Sequence, residues 1–223
     1  MKTKMIQATL RTGILCTLIL ILVNCKKDTI VITPAPSWNY STFTDSRDGK
    51  TYKYIKIGSL NWMAENLAYK TASESWFSWD SEAENAKYGR LYTWEAAKLA
   101  VPTGWHLPTD EEFKQLEMSL GMSQSEADKI DIRGTNEGKK LKFTIGWGDN
   151  GNGTDEVGFN ALPGGMRTNS GSYFVNGWYG YWWSATEGEN SRIWVRHLTF
   201  YNSEVYRSLS FKEDAYSVRC VKD

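Results

Sequence analysis

Beyond residue 24 every apolar stretch of this sequence is short, and from Gly138 onward those stretches are separated by Gly, Asn and Ser turns. A chain patterned in this way builds its core from short strands and loops rather than from long helices. Aromatic side chains supply the volume such a core needs, with 11 Trp and 12 Tyr in 223 residues. Rings at that density either fill a loop-rich interior or line a recognition surface.

After the turn over residues 45–50, Thr51–Ile57 alternates like a half-buried strand, and Gly58-Ser59 leads into a second strand, Leu60–Met63. Helical signals are confined to the middle of the chain. Residues 91–100 are helix formers throughout. Thr109-Asp110-Glu111-Glu112 is a capping box, followed by Phe113, Leu116, Glu117 and Leu120 at helical spacing. Residues 123–126 repeat that signature ahead of a shorter segment ending at Gly134. Short strands are then expected over 159–162, 181–185, 193–198, 204–209 and 216–221. The fold class is α+β, with early helices and a loop-rich antiparallel β half.

At the N-terminus, Lys2, Lys4 and Arg11 accompany an uncharged apolar run over residues 14–23. The run has the length of a signal h-region and is too short for a bilayer span, which needs roughly 20 residues. Leu22-Val23-Asn24-Cys25 ends it and resembles a lipobox, where a peptidase cuts before a cysteine whose thiol carries diacylglycerol. The organisation expected is a lipoprotein signal peptide over 1–24, a lipidated Cys25 with an extended tether over 25–42, and one domain over 43–223. Pro34-Ala35-Pro36 keeps the tether from forming a helix. An ordinary secretory signal, or an uncleaved anchor with a coincidental cysteine, is the alternative. The lipid on Cys25 would attach the protein to a membrane of the bacterial envelope, the outer membrane foremost, facing either the periplasm or the outside.

A formal net charge of +0, from 26 basic and 26 acidic residues, argues against nucleic acid as a partner, because phosphate binding calls for a basic patch. Cys16 would leave with the signal and Cys25 would be acylated. Cys220 then has no partner within the mature chain, and the core must hold the domain without a disulfide.

Six phrases stand in order along the chain: residues 62–67 (Trp-Met-Ala-Glu-Asn-Leu), 88–94 (Tyr-Gly-Arg-Leu-Tyr-Thr-Trp), 102–108 (Pro-Thr-Gly-Trp-His-Leu-Pro), 161–165 (Ala-Leu-Pro-Gly-Gly), 180–186 (Gly-Tyr-Trp-Trp-Ser-Ala-Thr) and 217–220 (Ser-Val-Arg-Cys). Together they resemble the Fibrobacter succinogenes major paralogous domain, a family of exported, often lipid-anchored bacterial proteins, from about Thr44 to the C-terminus. The resemblance implies a fold similar to the C-type lectin-like fold, in the variant seen in formylglycine-generating enzymes, and no established activity. Many members carry a cysteine just before the Pro-Thr-Gly-Trp phrase that could pair with the one near the C-terminus. Val101 stands there in this chain, which leaves Cys220 as a buried small hydrophobe.

No catalytic constellation emerges, and no enzymatic activity is expected. His106 and His197 are the only histidines. His106, inside a family phrase, reads as a hydrogen-bonded structural residue, and His197, alternating with Val195, as surface or rim. No Gly-x-Ser-x-Gly, His-Glu-x-x-His or phosphate loop appears. The oxidase chemistry of the formylglycine-generating enzymes needs a cysteine pair for copper, which one unpaired mature cysteine cannot provide, and fold similarity does not transfer function.

Two candidate sites remain. Asp149, Asn150, Asn152, Asp155 and Glu156 offer hard oxygens on a glycine-rich loop, which makes calcium the candidate cofactor, although the spacing does not fit an EF-hand. A polar surface loop of turn formers is the alternative. The other site is aromatic and includes Tyr173-Phe174, Trp178-Tyr179, Tyr181-Trp182-Trp183, Trp194, Phe200-Tyr201-Asn202 and Tyr206, about half of them expected in the core. Trp178, Tyr179, Tyr181, Arg192, Tyr201 and Asn202 are the expected contacts for a glycan or protein ligand, because Tyr and Trp offer large rigid contact area. A structural or assembly lipoprotein, its aromatic surface packed permanently against a protein partner, is the alternative function.

Overall fold

The computed structural model describes residues 37–223, so the expected signal peptide, Cys25 and the tether up to residue 36 lie outside the described residues. Folding begins before residue 43. The Trp38 indole donates to the Asp155 carbonyl at 3.0 Å, and the Tyr40 hydroxyl accepts from the Asn160 amide at 2.8 Å. Residues 37–42, placed in the tether by composition, therefore belong to the domain, because their rings find both apolar cover and hydrogen-bond partners there.

Strands β1 (Ser41–Thr44), β2 (Thr51–Ile57) and β3 (Leu60–Met63) form an antiparallel meander. The first turn is fixed by Asp45, whose carboxylate accepts both the Arg47 backbone N–H and its guanidinium, so that its pKa is lowered. Next come β4 (Ser75–Trp76), α1 (Glu82–Asn85), β5 (Leu91–Tyr92), α2 (Trp94–Ala100), β6 (Trp105–His106), α3 (Asp110–Ser119), α4 (Gln124–Ala127), β7 (Asp131–Arg133) and α5 (Glu137–Leu141). The last third adds β8 (Met166–Arg167), β9 (Tyr173–Phe174), β10 (Tyr179–Glu187), β11 (Ile193–Thr199), β12 (Val205–Ser210), β13 (Tyr216–Ser217) and β14 (Val221–Lys222). The α+β class is thus observed, and among the described residues the named strands pair antiparallel except for β10 with β13.

Two sheets carry the fold, in the orders β1-β2-β3-β14-β6 and β4-β5-β13-β10-β11-β12-β7. Strand β10 separates two cores. Trp183 packs with Tyr92, Trp94, Val195 and Val218 on one side, and Trp182 with Trp62, Phe113, Phe159 and Leu198 on the other. A buried indole N–H is favoured when it finds an acceptor, and of these core tryptophans Trp62 alone leaves its N–H without a partner among the described residues. Trp182 donates to Asn66 Oδ1 (2.9 Å), Trp183 to the Tyr92 carbonyl (2.7 Å), and Trp94 to the Ser184 carbonyl (2.9 Å).

Helix α3 is docked by charge as well as by its apolar stripe. Arg196 and Arg207 stand directly opposite each other on β11 and β12, a pairing of like charges that would be unfavourable alone. Asp110 lies between them, 2.6 Å from Arg196 and 2.7 Å from Arg207, while Glu117 accepts from Arg196 (2.7 Å) and Arg133 (2.5 Å). All five side chains are buried. Burial works against the Asp110 carboxylate, but its arginine partners win and hold its pKa below the ordinary value.

Several sequence expectations shift. The helix expected over 91–100 starts only at Trp94, because Leu91 and Tyr92 pair with β4 and β13. Residues 159–162 are no strand, since only a bridge from Ala161 to Lys142 forms there. The segment ending at Gly134 is helical for one turn and then becomes β7, recruited as the partner of β12. Residues 216–221 split between the two sheets, as β13 and β14, with buried Val218, Arg219 and Cys220 crossing between them. Cys220 is a free, fully buried thiol, and Val101 packs on the same core.

Candidate functional site

Register decides which rings meet. Tyr181 on β10 stands opposite His197 on β11, His197 opposite Tyr206 on β12, and Tyr206 opposite Ile132 on β7. These four side chains share one face of the sheet, because strand residues alternate between faces. Tyr216 extends the row inward, stacked on Tyr181 with centroids 5.0 Å apart. Tyr181 and His197 are 5.0 Å apart, and His197 and Tyr206 stack at 4.2 Å with planes 14° apart. The row runs from fully buried Tyr216 to Ile132, which is 47% exposed.

Tyr179 stacks on Tyr181 at 6.1 Å, and Tyr201 meets Tyr179 edge-on at 6.2 Å. Trp178 stands edge-on to Phe200 at 4.6 Å. Tyr201 and Trp178 are the exposed ends of this cluster, at 58% and 38%. Asn202 ties it together, accepting from the Thr199 hydroxyl at 2.8 Å and donating to the Tyr206 hydroxyl at 3.1 Å. Five of the six expected contacts, Trp178, Tyr179, Tyr181, Tyr201 and Asn202, are therefore brought into one neighbourhood. Arg192 is not among them. It precedes β11 at the end opposite Thr199, some ~20 Å along the strand, and lays its guanidinium over Phe211 at 4.4 Å.

The row missed by sequence reading is centred on His197. It is half-buried between two rings rather than at the rim, and its Nδ1 is buried with no hydrogen-bond partner among the described residues. Burial pushes its pKa down to about 4, so the imidazole is neutral in ordinary conditions. Burial also raises Tyr206 to about 12, whereas Tyr201 is lowered by its hydrogen bond with Tyr206. Alternation placed Trp182 opposite Trp183 correctly, yet only these two rings of the named segment are fully buried. Tyr179, Tyr181, Phe200, Tyr201 and Tyr206 are covered largely by neighbouring rings, whereas Trp194 lies under the Arg207 guanidinium at 3.5 Å and Phe174 is exposed.

Several polar side chains of the acidic loop are engaged in local hydrogen bonds. Asp155 is buried and its carboxylate accepts the Asn160 backbone N–H at 2.8 Å, while Asn152 accepts from Trp147 N–H at 3.0 Å. Glu156 accepts from the Thr154 hydroxyl at 3.1 Å, and Asp149 and Asn150 are exposed. Among the described residues no group of three or more His, Cys, Asp or Glu side chains is gathered for a metal ion. The loop's glycines have a packing reason: a methyl at Gly151 would collide with the Phe200 carbonyl, and one at Gly153 with the Lys142 carbonyl.

His106 is held at both ring nitrogens, by Asp223 at 2.7 Å and Glu112 at 2.8 Å. Partial burial opposes its charged form, but these two acceptors prevail and raise its pKa. The arrangement latches β6 to α3 and the C-terminus.

The profile of the Fibrobacter succinogenes major domain matches residues 55–222. No curated protein and no solved structure matches the chain. Among the described residues no helix is long and apolar enough to cross a membrane.

Proposed function

The chain belongs to the Fibrobacter succinogenes major domain family, and from that premise we propose that it is a lipid-anchored, extracytoplasmic binding protein whose C-terminal aromatic face recognises a glycan or a protein ligand. It acts by binding rather than by catalysis. The fold is read as C-type lectin-like, in the variant of the formylglycine-generating enzymes; family membership and the loop-rich antiparallel second half support this.

One observation carries the reading. Ring contacts run from buried Tyr216 through Tyr181 and Tyr179 to exposed Tyr201, and through Phe200 to exposed Trp178, so the surface rings are pre-ordered. Rigid rings lose little side-chain freedom on binding, and the apolar faces of sugars or of protein side chains can cover them. Profiling the protein purified from its membrane against a glycan array, beside Trp178→Ala and Tyr201→Ala, tests it. Selective binding lost in both variants, with the unfolding transition unchanged, is expected; Arg192→Ala should leave binding intact. Absence of any glycan binding by a folded protein would remove the saccharide reading and leave a protein ligand, sought by cross-linking in cells.

Anchoring at Cys25 rests on the basic N-terminus, the apolar run and the cysteine that ends it. Mass spectrometry of the mature N-terminal peptide should find Cys25 first and carrying diacylglycerol, whereas an unmodified or internal Cys25 would overturn the anchor.

One feature favours the runner-up, a permanent partner in the envelope. The row reaches an edge strand, β7, on which Ile132 is 47% exposed and just before which Ile130 is 60% exposed, and exposed apolar edges invite cover. In that case the protein released from its partner should aggregate, and soluble monomer would speak against it.

A further inference from the structure

Away from the aromatic face, a cleft of about 530 Å³ opens between the first meander and the segments around residues 64–66, 86–87, 143 and 160–162. Its lining carries four cations and one acid. Arg219, fully buried, lines it, and the guanidinium donates to Asn66 Oδ1 at 2.8 and 3.2 Å, to the Asn160 carbonyl at 3.3 Å and to the Phe159 carbonyl. All of these acceptors are neutral. Lys50, Lys53 and Lys87 line the same cleft from exposed positions. Among the described residues none of the four cations has a carboxylate within ion-pair distance. The one acid in the lining, Glu65, has its carboxylate held by the Lys53 backbone N–H at 2.8 Å.

A buried guanidinium without a carboxylate is costly to the fold. Arg133, Arg196 and Arg207 follow that rule, all sitting on Asp110 or Glu117. Arg219, like buried Arg90, is held by neutral acceptors instead, and Arg219 faces the cleft. Asp155 and Glu65 act on Arg219 through space and offset part of its charge; low-dielectric walls focus the net positive potential that remains, and the three lysines reinforce it. The walls themselves are apolar or aromatic, with Tyr40, Tyr52, Phe143 and Leu162 among them. The space greatly exceeds an inorganic anion and falls within the size range of small-ligand sites.

We propose that this cleft binds an anionic sugar, its acid group drawn to Lys53, Lys87 and the field of Arg219, and its ring laid on the wall formed by Tyr40 and Phe143. A carboxylate on a uronic acid and a phosphate ester on a sugar share this chemistry. The site uses no residue of the C-terminal aromatic face, so the two readings stand or fall separately.

Calorimetric titration of the full chain purified from membranes tests the proposal, with a galacturonic acid disaccharide, glucose 6-phosphate, cellobiose and inorganic phosphate as probes. One of the two anionic sugars should saturate a single site, and which one does so identifies the acid group. Its affinity should fall with added salt, and Lys53→Ala with Lys87→Ala should weaken it by at least about tenfold, at an unchanged unfolding transition. Tyr201→Ala should leave it untouched. The proposal is overturned if neither anionic sugar binds saturably, if binding survives loss of both lysines, or if cellobiose or inorganic phosphate binds as tightly as the anionic sugar.

Discussion

Replacing His197 with Phe should make this protein resist acid. The imidazole is stacked 4.2 Å from Tyr206 and 5.0 Å from Tyr181, its Nδ1 is buried without a partner, and burial takes its pKa from 6.5 to about 4. In the unfolded chain the ring takes up a proton as pH falls through about 6.5, while the folded protein refuses it until about pH 4. The unfolded state therefore binds more protons in that window, so stability is complete above the window and is lost as pH falls through it. The full gap corresponds to roughly 3.4 kcal/mol, and solvent reaching the half-buried ring reduces this to about 2 kcal/mol. Phe keeps the stacking and removes the unpaired nitrogen. Urea unfolding near neutrality should find the variant within about 1 kcal/mol of the parent. At about pH 4.5 the parent should have lost about 2 kcal/mol more than the variant. Parallel losses in the two proteins would refute the assignment of His197 as a buried neutral base.

Asp110→Ala strands Arg196 and Arg207 in the interior and should cost about 3–5 kcal/mol in urea unfolding; a loss below about 1 kcal/mol would mean that the arginines find other acceptors. Thr109→Ala removes the side-chain acceptor for the Glu112 N–H and should cost about 1 kcal/mol, read in the same assay. Cys220, whose thiol pKa burial raises far above the ordinary range, should react with a thiol reagent only at the rate of unfolding; rapid labelling of the native protein would contradict its burial.

The early part of this fold is legible in local pattern. Alternation over Thr51–Ile57 and Leu60–Met63 marks both strands with their bounds, and the Thr109 and Glu112 pair announces α3, where both capping hydrogen bonds form. Apolar runs without a partner in view mislead. Residues 159–162 look like a strand and instead pack Phe159 into a core from a loop, and residues 91–92 look helical until β4 and β13 claim them. The charged joint beneath α3 lies beyond local reading, because Asp110 and Arg207 are 97 residues apart. The aromatic row is hidden for a related reason. Which of Tyr181, His197 and Tyr206 touch depends on register, and register is set by pairing across the whole sheet.

Radical footprinting of Trp178, Tyr201 and Tyr206 in intact cells, before and after addition of the ligand selected on the array, tests the claimed recognition face most directly. Trp178 and Tyr201 are predicted to oxidise at the rate of exposed rings and to be protected when the ligand is added. Unchanged oxidation of all three rings on ligand binding would place recognition elsewhere and contradict the account.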